Sequence, residues 1–213
     1  MPVDGACLEY LERNELAAES ELYVFADGAK PGSEEAVAAV RRVIAEPWKF
    51  KRLKVVERPE NKGLAANVIA GARSKGMITF MKHFALNDQE TKRTEMLCTW
   101  TNEQAMREIY LKPFEMSVKE GGAQAVMSAF NYIGNTYAGG NNVLLNTVLR
   151  DEWGFNGLVT TDWWTKGEHY KETLAGNDIK MGTGYPERLM EALEKGLITR
   201  KDLEVCVERV LKV

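Results

Sequence analysis

The segment MITFMKHFALNDQE, residues 77–90, decides how this chain is read. Its first half is a short continuous apolar run, the pattern of a strand buried on both faces. Lys82 and His83 end that run, and amide and carboxylate side chains follow from Asn87 to Glu90. An apolar strand that delivers a cation and an imidazole into a polar turn has the composition of a pocket at the end of a parallel sheet. Further on, GLVTTDWW, residues 157–164, repeats the arrangement with one carboxylate, Asp162.

Outward from these two segments, apolar runs alternate with amphipathic stretches. Strands are predicted over residues 22–26, 53–57, 77–81, 125–130, 158–161 and 178–181. Helices fall between them. Ser33 caps one that carries Val37, Val40 and Ile44 on one face. Leu64, Val68, Ile69 and Ala72 mark the next. Thr101 and Gln104 suggest a capping box, and Pro113 is expected to kink or shorten the helix that follows. Leu144, Leu145, Val148 and Leu149 mark another, and Thr199 with Asp202 opens the last, with Leu203, Val207, Val210 and Leu211 inward. The alternation predicts an α/β fold with a mainly parallel sheet. A closed barrel needs eight strands, so an open doubly wound sheet stays an alternative.

Of the 213 residues, 45% are hydrophobic and 28% charged, which suits one globular domain or two small halves sharing a core. The formal net charge of -3 gives no basic footprint for nucleic acid or a membrane surface. The opening MPVDGACLEYLER lacks the basic and then apolar blocks of a signal peptide, which predicts a cytoplasmic location. Cys7, Cys98 and Cys206 are widely spaced and read as reduced, mostly buried thiols. His83 and His169 have no neighbouring Cys or His, so no metal and no cofactor is expected.

If the strands run parallel, Lys82 and His83, Asn131, Asp162 and Asp178 gather on one rim. KHFALNDQE, REIYLKPFE, VKEGGAQAVMSAFN, LLNTVLRDEWGFNGLVTTDWW and AGNDIKM occur in this order from about residue 76 onward. In that combination they resemble the later strands of the glycoside hydrolase family 3 barrel, the family of many β-glucosidases. The resemblance implies a TIM-barrel-like fold and roles residue by residue. Asp162 matches the nucleophile that forms a glycosyl-enzyme intermediate in retaining hydrolysis. Lys82 and His83 match the pair that hydrogen-bonds sugar hydroxyls, Met127 and Phe130 wall the sugar subsite, Asn131 borders it, and Trp163 packs beside the sugar. Many members carry Tyr where Phe130 stands, so a hydroxyl near the nucleophile is missing. The family's acid/base often comes from a following domain or a special loop, and Glu168 is the local candidate for that role. The partners implied are β-glucoside-type sugars.

Residues 1 to about 75 lack the acidic residue and arginine of that family's early strands. ELYVFADGAKPGSEEAVAAVRRVI and ERPENKGLAANVIAGA instead resemble the nucleotide-binding segment of family 2 glycosyltransferases. That resemblance implies nucleotide contacts at Asp27 and Asn61, although no Asp-x-Asp pair for a diphosphate-bound metal occurs. The expected organisation is therefore a glycosyltransferase-like βα segment over residues 1–75 and a hydrolase-like half-barrel over 76–213, fused into one globular unit. The expected origin is an engineered chimera, rather than a natural gene rearrangement, with Rossmann-like βα units expected to complete the half-barrel. The expected function is a retaining β-glycosidase half-site, impaired or inactive. The alternatives are an active β-glucosidase and a carbohydrate-binding or purely structural scaffold.

Overall fold

The computed structural model describes residues 5–26, 28–57, 59 and 63–213. Among them, β1 (Glu21–Ala26) pairs in parallel with β2 (Arg52–Glu57), from Glu21 opposite Arg52 to Ala26 opposite Glu57. A second parallel sheet has the order β3 (Phe80–Phe84), β5 (Ala125–Ser128), β8 (Leu158–Thr160). A single bridge from Thr160 to Ile179 extends it. Three two-residue strands, β4 (Cys98–Thr99), β6 (Tyr132–Ile133) and β7 (Thr136–Tyr137), form a third sheet from the loops that leave β3 and β5.

Helices separate the strands as the alternation requires. α1 (Gly5–Glu12) precedes β1, α2 (Glu34–Ile44) links β1 to β2, and α3 (Gly63–Arg73) comes before β3. α4 (Glu103–Ala105) runs through a π-helical stretch, Met106–Tyr110, into α5 (Lys112–Lys119) between β3 and β5. The π-helix Val143–Glu152 links β5 to β8, and α6 (His169–Ala175), α7 (Pro186–Glu194) and α8 (Arg200–Leu211) follow. The chain is thus an α/β protein of TIM-barrel-like build, with mainly parallel pairing and no closed barrel among the described residues. None of its described helices is long and apolar enough to cross a membrane.

The core lies between the three-stranded sheet and its helices. Phe84, Leu111, Val126, Leu144, Leu145, Leu149 and Val159 are almost fully buried. Phe84 meets Phe114 and Trp153 edge-on, with ring centroids 5.1 and 5.8 Å apart. Burying each such side chain contributes about 1.5–3 kcal/mol. Gly121 allows α3 and α5 to approach, since a Cβ there would stand 2.7 Å from the Ser117 carbonyl oxygen and 3.0 Å from Ala66 Cα.

Several boundaries differ from those the pattern predicts. The strand expected over 77–81 begins at Phe80, because Gly76 turns the chain at φ +75° and leaves Met77 and Ile78 exposed. Lys82 and His83 therefore lie within β3 and do not close it. Residues 178–181 form one bridge instead of a strand, since Asp178 turns its carboxylate back onto β8. Asn102, not Thr101, caps α4, accepting from the Ala105 amide at 2.8 Å. On α3 and α8 the inward faces are Ala66 with Ile69, and Cys206 between half-buried Leu203 and Val210. Leu64, Val68, Val207 and Leu211 point to solvent. Cys7 and Cys98 are exposed. The first βα units do not complete the half-barrel, because the β1 and β2 backbone groups bond to each other and to no strand of the second sheet.

One buried cluster ties the second sheet to its helices. Asp178 has a fully buried side chain and accepts from Arg150 Nη2 at 2.9 Å, Arg209 Nη1 at 3.2 Å and the Val159 amide at 2.8 Å. Arg150 also donates to the carbonyls of Gly157 and Gly176. Removing one partner of such a pair strands the other charge away from water. Asp178→Asn is expected to cost about 3–5 kcal/mol in urea unfolding, and a loss under about 1 kcal/mol would show that the cluster does not hold the fold.

Candidate active site

The parallel strands place their C-terminal ends on one side, and there the polar groups converge. Asp162 stands two residues beyond β8, with only 8% of its side chain exposed. Its Oδ1 accepts the Trp163 amide at 2.7 Å. Its Oδ2 accepts Arg93 Nη1 at 3.0 Å and lies 3.3 Å from His83 Nε2. Arg93 also pairs with Glu90 at 2.9 Å, and its guanidinium stacks 4.9 Å from the Phe130 ring centroid. A cation over a phenyl face needs no hydroxyl, so Phe130 serves here as a platform for the arginine.

Burial pushes the His83 pKa below 6.5; Asp162 opposes the shift, while Lys82 and Arg93 add to it. His83 is therefore neutral near pH 7. A proton on Nε2 fits both its neighbours, since Nε2 lies 3.3 Å from Asp162 Oδ2 and Nδ1 faces the Asn87 amide nitrogen at 3.5 Å. Lys82 is exposed beside it.

Next to Asp162 opens a cleft of about 330 Å³. Phe130, Tyr132, Tyr137, Trp163 and Trp164 give it aromatic walls, and Thr94, Met96, Lys166 and Gly167 complete the lining. The Trp163 and Trp164 rings are T-shaped, 6.4 Å apart and inclined at 64°. Among the described residues, four non-glycine residues sit in the left-handed region: Leu86, Lys92 and Met96 in the loop from β3, and Trp164 beyond β8, at φ between +57° and +61°. Each costs about 1–3 kcal/mol, a burden that tends to collect at functional sites.

Of the residues singled out from sequence, the structure brings together His83, Asp162, Phe130 and Trp163, with Lys82 alongside. Met127 is buried in β5 opposite Thr160 and is not part of the cleft lining. Asn131 is wholly buried and serves the backbone, donating from Nδ2 to the Ala85 carbonyl at 3.1 Å. Glu168 is not brought to Asp162. It begins α6, pairs with Lys171 and lines a separate depression with His169 and Arg188. Asp27 and Asn61 lie outside the described residues. No group of three His, Cys, Asp or Glu side chains among the described residues is placed to hold a metal ion.

Arg93, Tyr132, Tyr137 and Trp164 were not singled out from sequence. Arg93 had a usable signal, since a carboxylate buried at a strand end needs a cation, and Arg93 follows Glu90 at ion-pair spacing in the polar loop. The cleft walls had none, because β4, β6 and β7 are too short to show a period.

The comparisons agree with this geometry. Residues 57–213 match the model of the glycosyl hydrolase family 3 N terminal domain. That match spans most of the chain, and the chain belongs to this family. β-Glucosidase A of Butyrivibrio fibrisolvens is 49% identical over 140 residues, covering 66% of this chain and 17% of its own length. An exo-α-(1->6)-L-arabinopyranosidase of Bifidobacterium longum is 37% identical over 141 residues, 66% of this chain and 18% of the relative. Among solved structures, β-glucosidase 3B from Thermotoga neapolitana in complex with glucose aligns with a TM-score of 0.65 and 39% identity, over 70% of this chain and 22% of that one. The chain thus spans less than a quarter of the length of each.

Acid should weaken the fold through the histidines. Burial lowers the His169 pKa as well, with Lys180 adding to the shift. In each case the unfolded chain takes the proton first as pH falls. The contribution is complete above 6.5 and is lost as pH drops below it. The melting temperature is expected to fall as pH is lowered through about 6.5, and less steeply in His83→Gln/His169→Gln. Parallel curves for the two proteins would contradict this.

Proposed function

We propose that this chain carries the nucleophile half of a retaining β-glycosidase site that takes β-glucoside-type sugars. The observation that carries the reading is Asp162 itself, a nearly buried carboxylate paired with Arg93 and followed directly by Trp163, which lines an aromatic cleft. A carboxylate offers about four acceptor positions. Three are occupied, by the Trp163 amide, Arg93 and His83, which leaves one on Oδ1 for attack on an anomeric carbon. The forming glycosyl ester would keep its neighbours' hydrogen bonds, and the aromatic walls suit the apolar faces of a sugar ring and its leaving group. Similarity to β-glucosidases, one of them solved with glucose, supports the substrate class.

Retaining hydrolysis also needs a general acid about 5–5.5 Å from the nucleophile. No carboxyl group is among the described residues lining the cleft. General acid catalysis contributes roughly 10²–10⁴-fold, so the described site by itself is proposed to turn over weakly and to favour aryl glucosides, whose leaving groups need little protonation.

The finer reading of the first part is a proposal as well: a glycosyltransferase-like βα segment joined to the hydrolase part in an engineered chimera. One observation supports a two-part organisation, since β1 and β2 form a sheet of their own; the family match begins at residue 57, so residues 57–75 fall on the hydrolase side of it. A titration with a uridine-diphosphate sugar that gives neither heat nor thermal shift would remove the nucleotide-binding part of it.

An activated 2-fluoro glucoside is expected to leave one covalent adduct, mapped by peptide mass to Asp162, and none in Asp162→Ala. Arg93→Ala should slow labelling by about ten- to a hundredfold, the effect of losing a charge-assisted bond of about 1.5–3 kcal/mol. Intact mass unchanged after prolonged incubation would overturn the nucleophile assignment.

A further inference from the structure

Behind the cleft lies a second ionic group that the glycosidase reading does not use. The side chains of Glu172, on α6, and Lys180 are each 1% exposed and paired with each other. All three Lys180 ammonium hydrogens have acceptors: the Glu172 carboxylate, Thr165 Oγ1 at 3.1 Å and the Gly167 carbonyl at 2.7 Å. Both latter acceptors belong to the loop of residues 163–167, which carries Trp163 and Trp164 directly after Asp162. The same loop is stitched to the segment beyond Lys180. The Trp164 amide donates to the Met181 carbonyl at 3.1 Å, and Thr183 Oγ1 donates to the Thr165 carbonyl at 3.2 Å.

The fit around these groups is close. A Cβ on Gly167 would stand 2.5 Å from Glu172 Oε1, so this loop backbone rests directly on the buried carboxylate. A Cβ on Gly182 would stand 2.9 Å from Trp163 Cδ1 and 2.8 Å from Trp164 Cδ1, so both indoles lie against one glycine. On the cleft wall, the buried Tyr137 hydroxyl lies against Glu172 and Thr165.

A buried ion pair is a poor stabiliser, because desolvating two charges costs about as much as their attraction returns, and apolar replacements of similar volume are often neutral or stabilising. Its directional hydrogen bonds do something apolar packing cannot: they fix a backbone carbonyl and a hydroxyl of one loop at one distance from one helix. We infer that Glu172 and Lys180 are positioning residues. They clamp residues 163–167 against α6, holding Trp163 and Trp164 as the wall of the cleft beside Asp162. The inference rests on reading that cleft as the sugar site. It assigns the pair the width of the cleft on the side where a leaving group would sit.

The test separates positioning from stability. Glu172→Leu/Lys180→Met removes both charges together and replaces them with apolar groups of similar size. It is expected to stay folded, with a melting temperature within a few degrees of the parent's. Two readouts should change. The indole exciton couplet in circular dichroism, produced by the T-shaped Trp163–Trp164 pair, should fall to the level of Trp164→Phe. KM for an aryl β-glucoside should rise at least about tenfold, as expected when a binding wall shifts by a fraction of an ångström. A folded double variant with couplet and KM unchanged would overturn the inference. If the parent neither hydrolyses nor binds the glucoside, the sugar reading fails, and the couplet alone still decides whether the pair positions the loop. If the double variant does not fold, Thr165→Val removes one anchor and leaves the pair intact. A weakened couplet in that variant supports the clamp, and an unaltered one overturns it.

Discussion

The Asp178 carboxylate, with no exposed surface, is the contact on which the hydrolase-like part depends. It joins four pieces that the chain makes separately: β8 through the Val159 amide, the π-helix Val143–Glu152 through Arg150, α8 through Arg209, and the segment after α6 that carries Asp178 itself. Its desolvation is offset by three donors, two of them cationic, an arrangement that is strongly destabilising to break. Arg150 pays part of its own burial in a lowered pKa, with Asp178 opposing the shift. Because the cluster grips the chain one residue after β8 begins, it fixes the strand three residues before Asp162. The candidate site carboxylate hangs from the structural one.

Much of this was legible in the sequence, for physical reasons that differ by element. β5 and β8 show as apolar runs because parallel strands covered on both faces leave little room for polar side chains, while β2 alternates exposed charged residues with half-buried apolar ones. Asp162 shows because an acid directly after such a run is costly unless it has a task. The start of β3 did not show, since Met77 and Ile78 are as apolar as Phe80 and Met81 yet stay in solvent after the Gly76 turn. Composition reports affinity for a core, not whether the backbone has reached it.

The site was legible only in part, and the missing part lay in loops. Asn131 shows why a polar residue after a strand is ambiguous: its amide goes to the Ala85 carbonyl and supports the backbone behind the site. Glu168 shows the converse, an acid near Asp162 in sequence that turns outward at the start of α6 and pairs with Lys171. Tyr132 and Tyr137 reach the cleft through two-residue strands that no periodicity could announce. Arg93 was the residue most open to inference. Charge balance demands a partner for Asp162, and the polar loop from β3 contains a cation already oriented by Glu90.

Three acids, Asp162, Glu172 and Asp178, are each nearly buried and each paired with a cation. Their pairing alone does not distinguish them; what surrounds their remaining lone pairs does. Those of Asp178 are enclosed by protein, and the residue can only hold elements together. Glu172 turns its second oxygen to the backbone of Gly167 and its carboxylate to Tyr137, where it shapes a wall. Asp162 alone keeps a sliver of side-chain exposure, and its cation is an arginine. A carboxylate so placed is held in one orientation by the Trp163 amide and Arg93, and it stands next in sequence to an indole of the aromatic cleft. Those are the properties a nucleophile needs, and of the three acids only Asp162 combines them.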